Sequence, residues 1–159
     1  MMNDFDARLT RRSALITAAV FLLQVRPADS AEEQVVTVHK DPSCGCCSGW
    51  MQLLQKAGFS TKVAETTDME AVKKRFSVPA DLATCHTAEV SGYVIEGHVP
   101  AIAIKRFLAE KPNATKLAVA GMPVGSPGME GGKPERYEIV LFGPSERRIY
   151  MRFIGEQQL

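Results

Sequence analysis

Four cysteines are the residues of this chain best equipped for chemistry, and three of them, Cys44, Cys46 and Cys47, lie within four positions. The fourth, Cys85, stands alone and is followed directly by His86. Cys44 and Cys47 form a C-x-x-C pair, and Cys46 places a third thiol inside it. Three kinds of chemistry fit such a group. Disulfide stapling fits an even cysteine count in an oxidising compartment. A bridge between near neighbours, however, closes a tiny loop and restrains the unfolded chain little. Thiol–disulfide exchange through Cys44 and Cys47 accounts for the C-x-x-C but not for the third adjacent thiol. Metal binding uses all four sulfurs. Thiolates select soft ions, chiefly copper(I), with zinc as the borderline competitor. Zinc sites pair two C-x-x-C knuckles, whereas the second half here is one Cys85 followed by His86, so a Cys₄ or Cys₃His zinc site is possible but less well matched.

Further donors lie along the chain. His86 and His98 carry imidazoles that suit copper(II) or can orient a neighbour by hydrogen bonding. Met122 and Met129 sit in a Gly- and Pro-rich stretch with no regular face to bury, where a thioether offers copper(I) a weak, exchangeable ligand. His39 and Trp50 read as structural.

The elements that must position these residues follow from periodicity. Residues 34–39 form a β-branched run typical of a strand. Trp50, Leu53, Leu54 and Ala57 recur at helical spacing, which predicts a helix from about Cys46 to Ala57 ended by Gly58. The cysteine motif thus opens a helix, where unpaired backbone N–H groups and the helix dipole favour thiolate. A strand over 61–66 and a helix over 69–76 capped by Asp68 come next. Residues 84–90 show no period, and 93–95 read as a strand. A helix spans 101–110, and a short strand covers 116–120. Residues 121–134 are loop, and 137–142 with 147–153 make a hairpin across Gly143–Glu146.

Strand, helix, strand, helix and a terminal hairpin predict an α/β, thioredoxin-like sandwich with an insertion within 80–121, before the C-terminal hairpin. The cysteines fall between its first strand and first helix. Pro123, or alternatively Pro100, is the candidate for a cis-proline facing them.

Residues 1–30 read as an export signal. Arg8, Arg11 and Arg12 precede an apolar run over 14–25, too short to span a bilayer, and Ala28-Asp29-Ser30 fits a cleavage site. Thr10-Arg11-Arg12-Ser13-Ala14-Leu15 also fits a twin-arginine signal, with Ala14 replacing the usual bulky residue. The expected mature chain, residues 31–159, is a single domain large enough to fold without disulfides. Localisation in the periplasm follows as an expectation. A net charge of +1 gives no electrostatic case for nucleic acid or an anionic membrane, and no apolar run is long enough for a membrane span.

Four motifs in order carry a more specific signal: Cys44-Gly45-Cys46-Cys47-Ser48-Gly49-Trp50, Thr84-Cys85-His86-Thr87, Glu96-Gly97-His98-Val99-Pro100, and Gly121 to Glu130. Together they resemble the CopG-like copper-resistance family, over nearly all of residues 31–159. The resemblance implies a periplasmic thioredoxin-like protein that holds a multinuclear copper(I) cluster on Cys44, Cys46, Cys47 and Cys85. It also implies a Cys44/Cys47 redox pair that exchanges electrons with copper, and partners among copper-handling proteins. Such a protein acts in copper homeostasis and has the makings of a copper-linked thiol oxidoreductase.

Overall fold

The computed structural model describes residues 34–159, so the export-signal expectation, on 1–30, lies outside the described residues. The chain runs β1 (Val35–Lys40), α1 (Gly45–Lys56), β2 (Ser60–Glu65), α2 (Met69–Arg75), β3 (His86–Val90), β4 (Tyr93–Glu96), α3 (Ala101–Glu110), β5 (Lys116–Ala118), β6 (Arg136–Phe142), β7 (Arg147–Ile154) and β8 (Gln157–Gln158). The strands form one mixed sheet in the order β2-β1-β3-β4-β5-β6-β7-β8. Only β1–β2 and β4–β5 are parallel. The remaining pairs are antiparallel.

The predicted elements recur within a residue or two, and their ends have local causes. Gly58, at φ +94°, follows α1, and the N–H groups of Gly58 and Phe59 close onto the carbonyls of Gln55 and Leu54. The Asp68 side chain accepts from the Ala71 N–H at 2.9 Å and starts α2. Two expectations are corrected. Residues 80–121 do not contain an insertion, because they supply β3, β4 and β5 to the middle of the sheet, with α3 between β4 and β5. Strand β3 shows no alternation in sequence because it is covered on both faces, with four of its five residues buried. In addition, all peptide bonds of the described residues are trans. Neither Pro100 nor Pro123 is a cis-proline, and Pro100 instead takes an extended conformation as the residue capping α3.

The alternation of side chains across the sheet sorts its two faces. Leu117, Ile139 and Leu141 join the main core, where Trp50 and Leu54 of α1 and Ala103, Ile104 and Phe107 of α3 pack against Val36, Val38, Ala88 and Ile95. Their sequence neighbours Ala118 and Phe142 belong to a smaller cluster with Leu82 on the opposite face. Full burial of each large side chain in the main core stabilises the fold by about 1.5–3 kcal/mol. His86 shares the main-core face with Ala88, two residues on. Thr87 points to the other side, where α2 lies against β1 and β3.

Candidate metal centre

The register of β1 against β3 builds the site. Lys40, the last residue of β1, pairs with His86, the first of β3. The loop that carries β1 into α1 therefore lies beside the residue that precedes β3, which is Cys85. That loop is held locally: the Asp41 carboxylate accepts from the Ser43 N–H at 2.8 Å and the Ser43 hydroxyl at 2.5 Å, and the Cys44 N–H reaches the Asp41 carbonyl at 3.0 Å. The hydrogen bond from the Ser43 hydroxyl, more than any other contact, holds the Asp41 carboxyl below the usual range. Lys40, almost wholly buried, donates to the Asp41 carbonyl at 3.0 Å. Cys44 caps α1 without a side-chain hydrogen bond to the first turn, so the sulfurs gather where the helix presents unpaired N–H groups.

All four cysteines converge. Cys44 and Cys47 are joined in a disulfide, with Cα atoms 5.7 Å apart, while Cys46 and Cys85 are free. The Cys46 sulfur lies 3.7 Å from that of Cys44 and 3.9 Å from that of Cys85, and Cys47 is 3.7 Å from Cys85. All four sulfurs lie within 4.8 Å of one another.

Both predicted histidines are fully buried beside them. Nδ1 of His86 and Nε2 of His98 each lie 3.4 Å from the Cys85 sulfur. Nδ1 of His98 donates to the Pro127 carbonyl at 2.7 Å. The His86 ring packs 4.4 Å from Trp50 and 5.0 Å from His98, and its Nε2 has no hydrogen-bond partner among the described residues. Trp50 donates its indole N–H to the Val99 carbonyl at 2.9 Å. Burial, reinforced by His98 and Lys73, pushes the His86 pKa down to about 3, and burial also lowers that of His98. The Cys85 thiol is pushed up to about 12, first by burial and then by the neighbouring Cys46.

Met122 stands apart: it is exposed and lines a cavity with Asp81, Leu82 and Tyr137. Met129 is half-buried at the end of a turn in which its N–H bonds the Ser126 carbonyl. His39 bonds Glu89 at 3.1 Å and packs against Phe76 with the two rings tilted, a structural placement.

Sequence reasoning missed the polar group behind Cys85. The Glu96 carboxylate, fully buried, accepts from the Thr84 N–H at 2.6 Å, the Thr84 hydroxyl at 2.9 Å, the Thr87 hydroxyl at 2.6 Å and Lys73 at 2.7 Å. Thr84 and Thr87 bracket Cys85 and His86, so this network fixes the strand end that carries them. The available signal was Thr87 beside His86 in β3 and Glu96 as the one charged residue of β4. Thr87 and Glu96 are register partners across β3 and β4.

The site defines a class: a mixed α/β domain with a C-x-C-C turn at a helix start, facing a Cys-His strand end. Comparison places it further. Two solved forms of a copper resistance protein, copG, are similar to this chain, each at 40% identity and covering 77% of it. Form 2 is matched over 99% of its length with a TM-score of 0.73, and form 1 over 98% with a TM-score of 0.72. The chain belongs to the CopG family. A family model described as "Protein of unknown function, DUF411" matches residues 82–129, the stretch holding Cys85, His86 and His98. No match was found among curated proteins. Among the described residues no helix is long and apolar enough to cross a membrane.

Proposed function

We propose that this protein binds copper(I) in copper homeostasis or resistance, on a thiolate cluster made by Cys44, Cys46, Cys47 and Cys85. The observation that carries the reading is the convergence of the four sulfurs. Two thiolates sharing one ion at metal–sulfur bonds of about 2.3 Å and a tetrahedral angle lie about 3.8 Å apart. The nonbonded sulfur pairs Cys44–Cys46, Cys46–Cys85 and Cys47–Cys85 are 3.7–3.9 Å apart. Reduction of the Cys44–Cys47 bridge supplies the two further thiolates, and an all-thiolate set favours copper(I) over harder ions.

The bridge gives the site an electron balance. Two copper(II) ions taking one electron each from the Cys44 and Cys47 thiolates leave two copper(I) ions and the disulfide. In the reverse direction, two copper(I) ions reduce the disulfide and leave two copper(II) ions and two thiolates. The order β2-β1-β3-β4, with α1 after β1 and α3 after β4, supports reading this half of the chain as a thioredoxin-like core. Export to the periplasm, drawn from residues 1–30, belongs to the same proposal.

Anaerobic titration of the reduced protein with copper(I) tests it: several equivalents bind per chain, and Cys46→Ser and Cys85→Ala each lose part of that capacity. A Cys85→Ala variant that binds just as many removes Cys85 from the site. The disulfide itself favours a second reading, thiol–disulfide exchange with a protein substrate. That activity survives Cys46→Ser and needs no copper.

A further inference from the structure

When Cys44 and Cys47 are disulfide-bonded, two of the four sulfurs are no longer thiolates. A second donor group then stands complete at the same end of the sheet. The Cys85 sulfur lies 3.4 Å from Nδ1 of His86 and 3.4 Å from Nε2 of His98, and the three donor atoms all lie within 4.8 Å of one another. A thiolate and an imidazole on one tetrahedral ion, with bonds of about 2.3 and about 2.05 Å, are separated by about 3.5 Å.

The His98 tautomer is arranged for ligation. A carbonyl only accepts hydrogen bonds, so the 2.7 Å contact to Pro127 puts the His98 proton on Nδ1 and leaves the Nε2 lone pair facing Cys85. A backbone carbonyl on the far ring nitrogen is the usual outer support of a metal-bound histidine. His86 is fully buried and its Nε2 has no partner among the described residues. A proton carried there leaves the Nδ1 lone pair directed at the same sulfur. Without an ion the Cys85 sulfur can instead accept from an Nδ1–H, so ligation requires the His86 proton to sit on Nε2.

We propose that the disulfide-bonded protein holds a single divalent ion of borderline softness, of the copper(II) or zinc class, on Cys85, His86 and His98. One thiolate with two imidazoles matches that class, whereas a set of thiolates alone matches copper(I). Three protein donors leave a coordination position for water or an incoming ligand. Cys46 is not one of the donors. The proposal shares Cys85 with the copper(I) cluster but concerns the other redox state of the protein, so the two fail separately.

The test uses cobalt(II) as an optical probe. The protein with the Cys44–Cys47 bridge intact, verified by mass, is titrated anaerobically. One equivalent is expected to bind, with a thiolate-to-cobalt charge-transfer band and the ligand-field bands of a four-coordinate ion. Cys85→Ser removes the charge-transfer band, His98→Ala weakens binding by about tenfold or more, and Cys46→Ser leaves both affinity and spectrum unchanged. The absence of a charge-transfer band in the disulfide-bonded protein overturns the proposal. So does a band that Cys46→Ser abolishes while His98→Ala leaves it intact. Should His98→Ala not fold, judged by the fluorescence of Trp50, the two cysteine variants decide alone.

Discussion

His98 and Pro127 are tied by a 2.7 Å hydrogen bond from the imidazole Nδ1 to the backbone carbonyl, which fastens the 121–134 loop to the candidate metal centre. The next residue fastens the same loop to the helix that carries the C-x-C-C turn. Gly128 takes φ +85°, and a Cβ there would lie 2.7 Å from the Trp50 nitrogen and 3.0 Å from the Cys46 carbonyl oxygen. One turn of loop therefore touches both halves of the site, the histidine after β4 and the first turn of α1.

Gly128→Ala is expected to be among the costlier single-methyl additions in the chain. The left-handed backbone alone costs about 1–2 kcal/mol for a residue with a side chain, and the contacts it would make are with backbone atoms that cannot swing away. Gly131 has φ +114° but open space around its Cα. Gly131→Ala carries only the backbone cost. Urea denaturation should show a loss of at least about 2 kcal/mol for Gly128→Ala, with a melting point lower by roughly 6 °C or more, and a clearly smaller loss for Gly131→Ala. Equal losses would mean that the approach to Trp50 is relaxed at no cost.

The helices and the hairpin were legible because their patterns are strong. Trp50, Leu53, Leu54 and Ala57 trace one face of α1, and Asp68 and Gly58 mark helix ends with side-chain and backbone chemistry that sequence states directly. The four sulfurs were legible too, since three share one turn. The middle of the sheet was not. Strand β3 is buried on both faces and loses the alternation by which strands are recognised, so His86–Val90 read as irregular and 80–121 as containing an insertion. The Glu96 network was hidden for another reason. Its partners Lys73, Thr84 and Thr87 come from three segments, and only the pairing of Thr87 with Glu96 across β3 and β4 brings them together. The nearness of Pro127 to His98 depends on loop geometry that residue types do not encode.

The buried Glu96–Lys73 pair yields a prediction in which the pair, more than either residue, sets the cost. Glu96 is fully buried and the Lys73 side chain is 14% exposed. Removing one member leaves the other charged and without its counter-ion, a loss of about 3–5 kcal/mol for a buried pair. Lys73→Met and Glu96→Gln should each destabilise the protein, and the double variant should be more stable than the sum of the two losses by about 1–3 kcal/mol. A double-mutant cycle by urea denaturation measures this. Strict additivity would show that Thr84 and Thr87 alone satisfy the carboxylate.

Acid should unfold the metal-free, disulfide-bonded protein through its histidines. Burial above all holds His86 neutral until about pH 3, whereas an unfolded histidine takes up a proton near pH 6.5. The sign follows from proton counts: the folded-state pKa is depressed, so below pH 6.5 the unfolded chain binds a proton that the folded one refuses. Stability is then lost at about 1.4 kcal/mol per pH unit from about pH 6.5 towards about pH 3, and His98, lowered by its own burial, adds in the same direction. Above pH 6.5 both states are neutral and the histidines contribute nothing. The midpoints of urea curves between about pH 7.5 and pH 4, followed by the single tryptophan, should fall accordingly, and His86→Gln should flatten that pH dependence. An unchanged slope in that variant would assign the acid sensitivity to other groups.

Cys85 carries the complementary prediction at the alkaline end. Burial first, and the Cys46 sulfur second, raise its thiol pKa to about 12, so in the metal-free, disulfide-bonded protein it is protonated at neutral pH. Thiolate is the nucleophile, and alkylation of Cys85 by iodoacetamide should therefore be slow at pH 7 and accelerate about tenfold per pH unit until about pH 12. Cys46→Ser removes the neighbouring sulfur that helps to raise the Cys85 pKa, so Cys85 should react faster in that variant. A divalent ion reverses the argument: it replaces the proton on sulfur, binding thus releases a proton, and the sulfur becomes a ligand shielded from the reagent. Alkylation at high pH should then be suppressed by one equivalent of zinc in wild-type protein and far less in His98→Ala. Protection that is equal in both would place the ion on the sulfurs alone, and a rate independent of pH would show that Cys85 is already ionised without any metal.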